Sequence, residues 1–370
     1  MKRKLIFLFL FFLLLITATP LYAQEDKINI QSAKVLEIVK EEKSVILQKI
    51  GEGVDVLNQT IYAEIVDGVE KGKKVILEND VLKLKKGDLF FIEKTSLSDE
   101  PDQYIAIEKD RQFPIAVLLI IFAVAIIIFG GKQGVRSLIS LLGGFLVIIY
   151  FLLPMLTKGY SPILVSISFA SMILFIAIYF THGFNRESSV AFVGTIIAVV
   201  LTGLLAYFSV LVMQLTGFNT EETMFLDMGN AVKLNFHGLL LGGILIGVLG
   251  ILDDIAVTQS AVVSEIYNSA GHLSRKDVYK KAMRVGREHV SALVNTLVLA
   301  YAGASLPLLL LFSNYDYPFR LVVSGELFAT EIVRTIVGSI GLVLTVPITT
   351  LLAVYLLKGY KGKSALGHHH

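Results

Sequence analysis

Two adjacent carboxylates inside an apolar stretch are the residues of this sequence best placed to do chemistry. Asp253 and Asp254 follow the glycine-rich apolar run Gly238–Leu252. A charged side chain at membrane depth costs about 2.5–3.5 kcal/mol on insertion scales, so an intramembrane acid points to a functional site with a partner. The pair therefore marks the first candidate site.

A first group of polar residues follows the aspartates at helical spacing, and a second group lies at the start of the next apolar segment. Asp254, Thr258 and Glu265 share one helix face, which must meet protein or water rather than lipid. The predicted ion or substrate pathway consists of Asp253, Asp254, Gln259, Glu265, Arg287, Glu288 and Asn295, supported by Arg284, Thr258, Thr296, Gly247 and Gly250.

The segment before the aspartates is short and rich in glycine. Gly238–Leu252 is too short to cross a hydrocarbon core about 30 Å thick. Gly243 and Gly247 form a GxxxG pair, which lets neighbouring helices approach closely. A short or interrupted helix with polar groups at its break is typical of a transport site.

Three interpretations of the acidic pair remain open. The aspartates hold an ion or substrate, or they form an ion-pair latch with Arg284 or Arg287, or they are protonated and only donate hydrogen bonds. Nearby Glu265, Glu288 and His289 supply donors that suit a hard or borderline cation. Their spacing matches no metal motif, so a bound cation is one possibility and the metal stays unknown.

Catalysis is less well supported than transport. The chain has no cysteine, which excludes a thiol nucleophile. It contains no G-x-S-x-G, H-E-x-x-H or P-loop motif, and no nucleotide or nucleic-acid partner is indicated. Adjacent helical residues point about 100° apart, so the aspartates are not automatically a shared-proton dyad. An intramembrane hydrolase would require both to face one cleft.

The elements that position these residues are predicted transmembrane helices. The 370-residue chain is 54% hydrophobic, with a mean hydropathy of +0.70, and both values indicate a multi-pass membrane protein. Apolar runs long enough to span occur at 114–130, 137–156, 162–181, 190–215, 236–257, 290–312 and 333–357. The sequence therefore predicts an α-helical bundle of seven transmembrane helices, or eight if the N-terminal segment is retained.

The two chain ends read as processing or tail segments. Basic Met1-Lys2-Arg3-Lys4, apolar Leu5–Ala18 and Ala23 before Gln24 are typical of a signal peptide over 1–23, with an uncleaved anchor as the alternative. Residues 361–370 form a predicted cytoplasmic tail that ends in a tag remnant. The transmembrane domain is expected over 113–360.

Residues 24–112 differ in composition from the rest and alternate with period two. This pattern predicts an extracytoplasmic all-β domain, a small OB-like barrel or sandwich. Predicted strands cover 34–39, 43–50, 61–66, 73–77, 82–93 and 104–108, and Gly72 and Gly87 mark turns. The ordinary role of such a domain is structural or docking.

The distribution of lysine and arginine orients the bundle. The predicted inner connections carry twelve basic residues against four on the outer side, so the positive-inside rule places the C-terminus in the cytoplasm. The inner set is Lys132, Arg136, Arg186, Arg275, Lys276, Lys280, Lys281, Arg284, Arg287, Lys358, Lys361 and Lys363. The outer set is Lys158, Lys233, Arg320 and Arg334.

Several motifs together resemble one bacterial family. They are Gly247–Glu265, Gly183–Arg186, Gly286–Glu288, Asn295–Tyr301, Ser305–Leu308, Val337–Pro347, Lys71–Asn79 and Lys86–Asp88. These segments resemble the YibE/F family of multi-pass membrane proteins over nearly the whole chain. The resemblance implies an integral protein of the cell envelope. The family pattern often has a single Asp followed by a small or apolar residue where this chain has Asp253-Asp254, which leaves the role of Asp254 open.

Two functions compete on these observations. The first is an integral membrane transporter or channel for an ion or small solute, with its acidic site at the cytoplasmic end of the fifth helix. The second is a non-transporting envelope protein whose outer β-domain binds a partner or envelope ligand, while the helices anchor it in the lipid bilayer and homo-oligomerise.

Overall fold

The structure is a computed structural model that describes residues 29–46, 54–80, 82–95, 102–229, 234–313 and 318–360. The predicted signal peptide and the predicted tail lie outside the described residues. The chain divides into two compact units, with the boundary between Val124 and Ala125.

Alternating apolar residues build a five-stranded antiparallel sheet in the first unit. Its strands are β1 (Asn29–Ile46), β2 (Val54–Ile65), β3 (Lys74–Asn79), β4 (Leu89–Thr95) and β5 (Gln103–Lys109), in the order β3-β2-β1-β4-β5. The sheet curls into a half-barrel, since the Lys73 ammonium next to β3 donates a 2.6 Å hydrogen bond to the Tyr104 hydroxyl on β5. Ile61, Ile65 and Phe90 are fully buried inside the curl.

The strands follow the predicted alternation but not all the predicted boundaries. Segments 34–39 and 43–50 were predicted as two strands, but as far as the described residues reach, both belong to one long strand, β1. The pairing of β1 with β2 shifts register after Val35 and after Ile38. The strand predicted from residue 82 starts only at Leu89. A turn at Gly87, with φ +92°, delays it.

Long apolar helices make up most of the second unit. The helices are α1 (Gln112–Val147), α2 (Leu153–Thr157), α3 (Pro162–Phe175), α4 (Arg186–Val212), α5 (Glu221–Gly229), α6 (Phe236–Ser269), α7 (Arg275–Ala304), α8 (Leu306–Ser313), α9 (Phe319–Ser324) and α10 (Glu326–Leu356). Short π-helical turns, Ile148–Leu152 and Ile176–Phe180, extend α1 and α3.

Five helical segments of the described chain are long and apolar enough to cross a membrane, or six if a bent pair counts as one. This confirms a multi-pass membrane protein with lipid as its environment. The first segment, Gln112–Thr157, covers two predicted spans and is interrupted at Gly131, where φ is 55° and ψ is −133°. The bent pair is α7 and α8, which meet at 63° beside Ser305.

The centre of the helical unit is formed by α4, α6 and α10, which pack against one another. Glycines allow the close contacts, because a Cβ added at Gly341 would overlap the Thr202 side chain and one at Gly194 would come within 2.5 Å of Thr349 Oγ1. Helix α3 approaches α6 at Gly238 and Gly242 in the same way. In the described chain, the predicted GxxxG residue Gly243 lies outside this contact and faces open space.

Candidate functional site

Helix α6 carries both aspartates and is continuous through them. The Asn235 side chain caps its start by accepting a hydrogen bond from the Gly238 N–H, 3.0 Å long. The helix then runs to Ser269 without a break. At 1.5 Å per residue, Asp254 lies about 27 Å from the helix start. The short apolar run Gly238–Leu252 is thus part of a longer continuous helix, and a break occurs in the next span, at Ser305.

The two aspartates differ in their surroundings. Asp253 is partly buried and Asp254 is exposed. Within the described chain, neither forms an ion pair or a hydrogen bond with Arg284, Arg287 or any other basic side chain. The structure thus contains no arginine latch over the acidic pair among the described residues.

Gln259, predicted to line the pathway, is buried and connects helix α6 to helix α7. It is 1% exposed, and its Nε2 donates to the Ala282 carbonyl on α7 at 2.9 Å. Gly286 provides the space, since a Cβ there would lie 3.1 Å from both Gln259 amide atoms and would overlap Val346 on α10. Gln259 is therefore a buried interhelical hydrogen bond rather than an open lining residue.

Two serines of α6 bind Glu187, a residue that the predicted pathway does not include. Ser264 Oγ donates to the Glu187 carboxylate at 2.5 Å, and Ser260 Oγ donates to the Glu187 carbonyl at 2.9 Å. Glu187 lies in the first turn of α4, two residues after the cap residue Asn185. The sequence signal for this contact is an acidic residue, Glu187, in the first turn of a helix that begins with a capping asparagine.

The remaining predicted residues lie on more open surfaces. Thr258 and Gly250 stay on α6, where Thr258 is partly buried, and Gly247 faces the Tyr301 hydroxyl on α7, 2.9 Å from an added Cβ. In the described chain, no hydrogen bond or ion pair connects the exposed members to the aspartates. Those exposed members are Glu265, Arg284, Arg287, Glu288, Asn295 and Thr296.

A cavity of about 710 Å³ lies beside the C-terminal half of α6. Val257 and Ala261 line it, three and seven residues beyond Asp254, and therefore on the Asp254 side of the helix. His182 lines the cavity too. Burial lowers the pKa of the His182 imidazole, and the Asp254 carboxylate partly opposes that shift. Asp254 itself is not among the residues that line the cavity.

A second polar cluster surrounds the break between α7 and α8. Arg334 and Glu331 form an ion pair within α10, with an Arg334 Nη1 to Glu331 Oε1 distance of 2.5 Å. The Ser305 hydroxyl at the break lies 3.5 Å from the other Glu331 oxygen. Arg334, which the topology prediction assigned to the outer connections and helix ends, is the ninth residue of α10 and pairs with Glu331, an acidic residue that the predicted pathway does not include.

Metal binding receives no support from a ready-made ligand cluster. Among the described residues, no group of three or more histidine, aspartate and glutamate side chains could hold a metal ion.

Comparison with known proteins gives one match. A sequence-family profile described as "YibE/F-like protein" matches residues 118–359. No curated protein and no solved structure matches the chain.

Proposed function

We propose that this chain, which belongs to the YibE/F family, is a membrane transporter or channel for an ion or small solute. The proposal rests on one observation: two carboxylates on a candidate membrane-spanning helix have no basic partner among the described residues, and one of them lies on the same side of that helix as two residues that line a cavity. An uncompensated acid inside a span is costly and points to transport or proton transfer.

The acidic pair supplies two separate positions in this mechanism. Asp254, the more exposed of the two carboxylates, would receive the cation or proton first. Asp253, which is more buried and one residue away along the helix, would then exchange the cation or proton with Asp254. Because burial penalises the charged form of a carboxylate, a site of this kind couples naturally to protonation.

The seven-span topology belongs to the same proposal. A straight helix of 46 residues would extend about 69 Å, more than twice the hydrocarbon thickness of about 30 Å. The non-helical backbone at Gly131 supports two spans within Gln112–Thr157. Counting α7 and α8 as one broken span then gives seven, with the C-terminus cytoplasmic by the positive-inside rule and the β-unit outside.

Flux measurements in proteoliposomes test the proposal. Wild type, Asp253→Asn and Asp254→Asn are compared for proton, monovalent-cation, divalent-cation and anion flux. Loss of flux in either variant supports the acidic site. Unchanged flux in both variants removes the aspartates from the pathway.

The second candidate function is partner binding by the outer β-unit. The observation that favours it is a group of exposed isoleucines on strands that approach each other, Ile76 on β3 with Ile105 and Ile107 on β5. The OB-like strand order is compatible with a ligand-binding barrel. In this case deletion of residues 24–112 abolishes function, whereas the aspartate variants keep it.

A further inference from the structure

The cavity beside α6 contains two arginines without acidic partners. Arg136 on α1 and Arg186 at the start of α4 both line it, and neither forms an ion pair in the described part of the chain. Glu187 also lines the cavity, and its carboxylate accepts the hydrogen bond from Ser264. Two guanidinium groups against one carboxylate leave the lining of the cavity with an excess of positive charge.

Local structure adds to this positive character. Arg186 is the first residue of α4, a 27-residue helix whose N-terminal end carries a partial positive charge. Its guanidinium lies 5.4 Å from the centre of the Tyr360 ring, which restricts the orientation of the side chain. Gln133 and Asn185 contribute neutral polar groups to the same wall.

The geometry points to an anion site: the cavity binds a phosphate-class anion between Arg136 and Arg186. A guanidinium donates two parallel hydrogen bonds to a phosphate, which suits it to this ligand better than an ammonium. The volume of about 710 Å³ falls within the roughly 300–1,000 Å³ typical of small-ligand sites. This inference does not depend on transport, because it concerns binding alone.

The phosphate has two possible sources, a free solute and the headgroup of an anionic lipid. Phe184 lines the cavity and is 78% exposed, so an apolar ring lies beside the basic groups. A basic pocket with an apolar rim at a membrane surface is also how headgroups are held. The chemistry of recognition is the same for both sources, and the experiment separates them.

The experiment measures binding to the full-length protein rather than flux. Inorganic phosphate is titrated into protein in neutral detergent by calorimetry. In parallel, retention of phosphatidylglycerol over phosphatidylcholine is measured by native mass spectrometry after reconstitution in mixed nanodiscs. Saturable phosphate binding identifies a free anion, and selective phosphatidylglycerol retention identifies a headgroup.

Variants attribute the binding to this cavity. Arg136→Gln and Arg186→Gln should each weaken it by about tenfold or more through loss of a charge-assisted contact. Arg186→Lys, which keeps the charge, should retain part of the affinity. The matched control is Lys280→Gln, an exposed basic residue of α7 outside the cavity, which should bind as wild type does. Thermal unfolding in the same detergent establishes that each variant is folded.

Two results would overturn the inference. One is the absence of both phosphate binding and phosphatidylglycerol selectivity in the folded wild type. The other is binding that both arginine variants retain, or that Lys280→Gln loses to the same extent. Either outcome is independent of whether the aspartate variants conduct, so it leaves the proposed transport function untouched.

Discussion

Gln259 shows how one buried polar side chain connects the C-terminal half of α6 to α7. Its amide satisfies the Ala282 carbonyl on α7, and this contact exists because Gly286 has no side chain to block it. A buried donor that loses its acceptor keeps its desolvation penalty, so the glutamine and the glycine depend on each other. Gln259 and Gly286 together stabilise the packing of α6 against α7 near the acidic pair.

Gly286→Ala should therefore destabilise the protein. The new Cβ would overlap Val346 and crowd the Gln259 amide, and overpacking of this kind costs about 1–3 kcal/mol. Gly303→Ala in the same helix is the matched control, because nothing lies within 4 Å of its added Cβ. Thermal unfolding in detergent should show a lower Tm for Gly286→Ala only. Equal Tm values for the two variants would contradict the packing described.

The acidic pair could be identified from the sequence, but the side chains that surround the neighbouring residues of α6 could not be predicted from it. Helical spacing correctly placed Gln259 on α6, yet spacing cannot tell whether a polar face meets a cavity or another helix. That outcome depends on Gly286 and Glu187, which belong to other segments of the chain. The same limit applies to Arg284 and Arg287, because a pattern of charges indicates a possible partner for an aspartate but not the distance between the two side chains.

At the scale of elements, apolar runs predicted the helices well and their breaks poorly. Hydropathy measures how long a segment stays apolar, so the run 290–312 looked continuous although α7 ends at Ala304 and Pro307 follows. Conversely, Asp253 and Asp254 end the apolar run Gly238–Leu252 without ending helix α6. In the β-unit, glycines with positive φ at Gly72 and Gly87 confirm the predicted turns.

The half-barrel should lose a pH-dependent part of its stability in acid. The Glu70 carboxylate accepts hydrogen bonds from Lys73, Tyr104 and Lys94, and these contacts, led by that from Lys73, lower its pKa from 4.5 to about 2. A group with a lowered folded-state pKa stabilises the fold above its unfolded pKa and loses that effect as the pH falls through the folded value. The loss therefore falls between pH 4.5 and 2.

This prediction can be measured in the whole protein. The chain has no cysteine, so a single Val39→Cys substitution on the exposed face of β1 allows one fluorescent label to follow the β-unit. Denaturant unfolding should show that Glu70→Gln is less stable than the parent at neutral pH, with the difference shrinking towards pH 2. A difference that stays constant with pH would mean that the carboxylate charge does not stabilise the sheet.

At the scale of the whole molecule, the proposed topology places strand β1 and the start of helix α7 on opposite sides of the membrane. A single cysteine at Val39 should react with an impermeant maleimide in intact cells or spheroplasts. A single cysteine at Lys280, at the start of α7, should react only after the membrane is permeabilised. Both positions are exposed, so access and not burial decides the result. Labelling of both from the same side would contradict the topology.

The most direct measurement of the central claim is ion flux into proteoliposomes that contain equal amounts of folded protein. Asp254→Asn should reduce the initial rate by about tenfold or more, equivalent to roughly 1.4 kcal/mol in the barrier, and Asp253→Asn should also reduce it. Asp227→Asn removes an exposed carboxylate on α5, away from α6, and should conduct at the wild-type rate. Wild-type flux in both Asp253→Asn and Asp254→Asn would contradict the account.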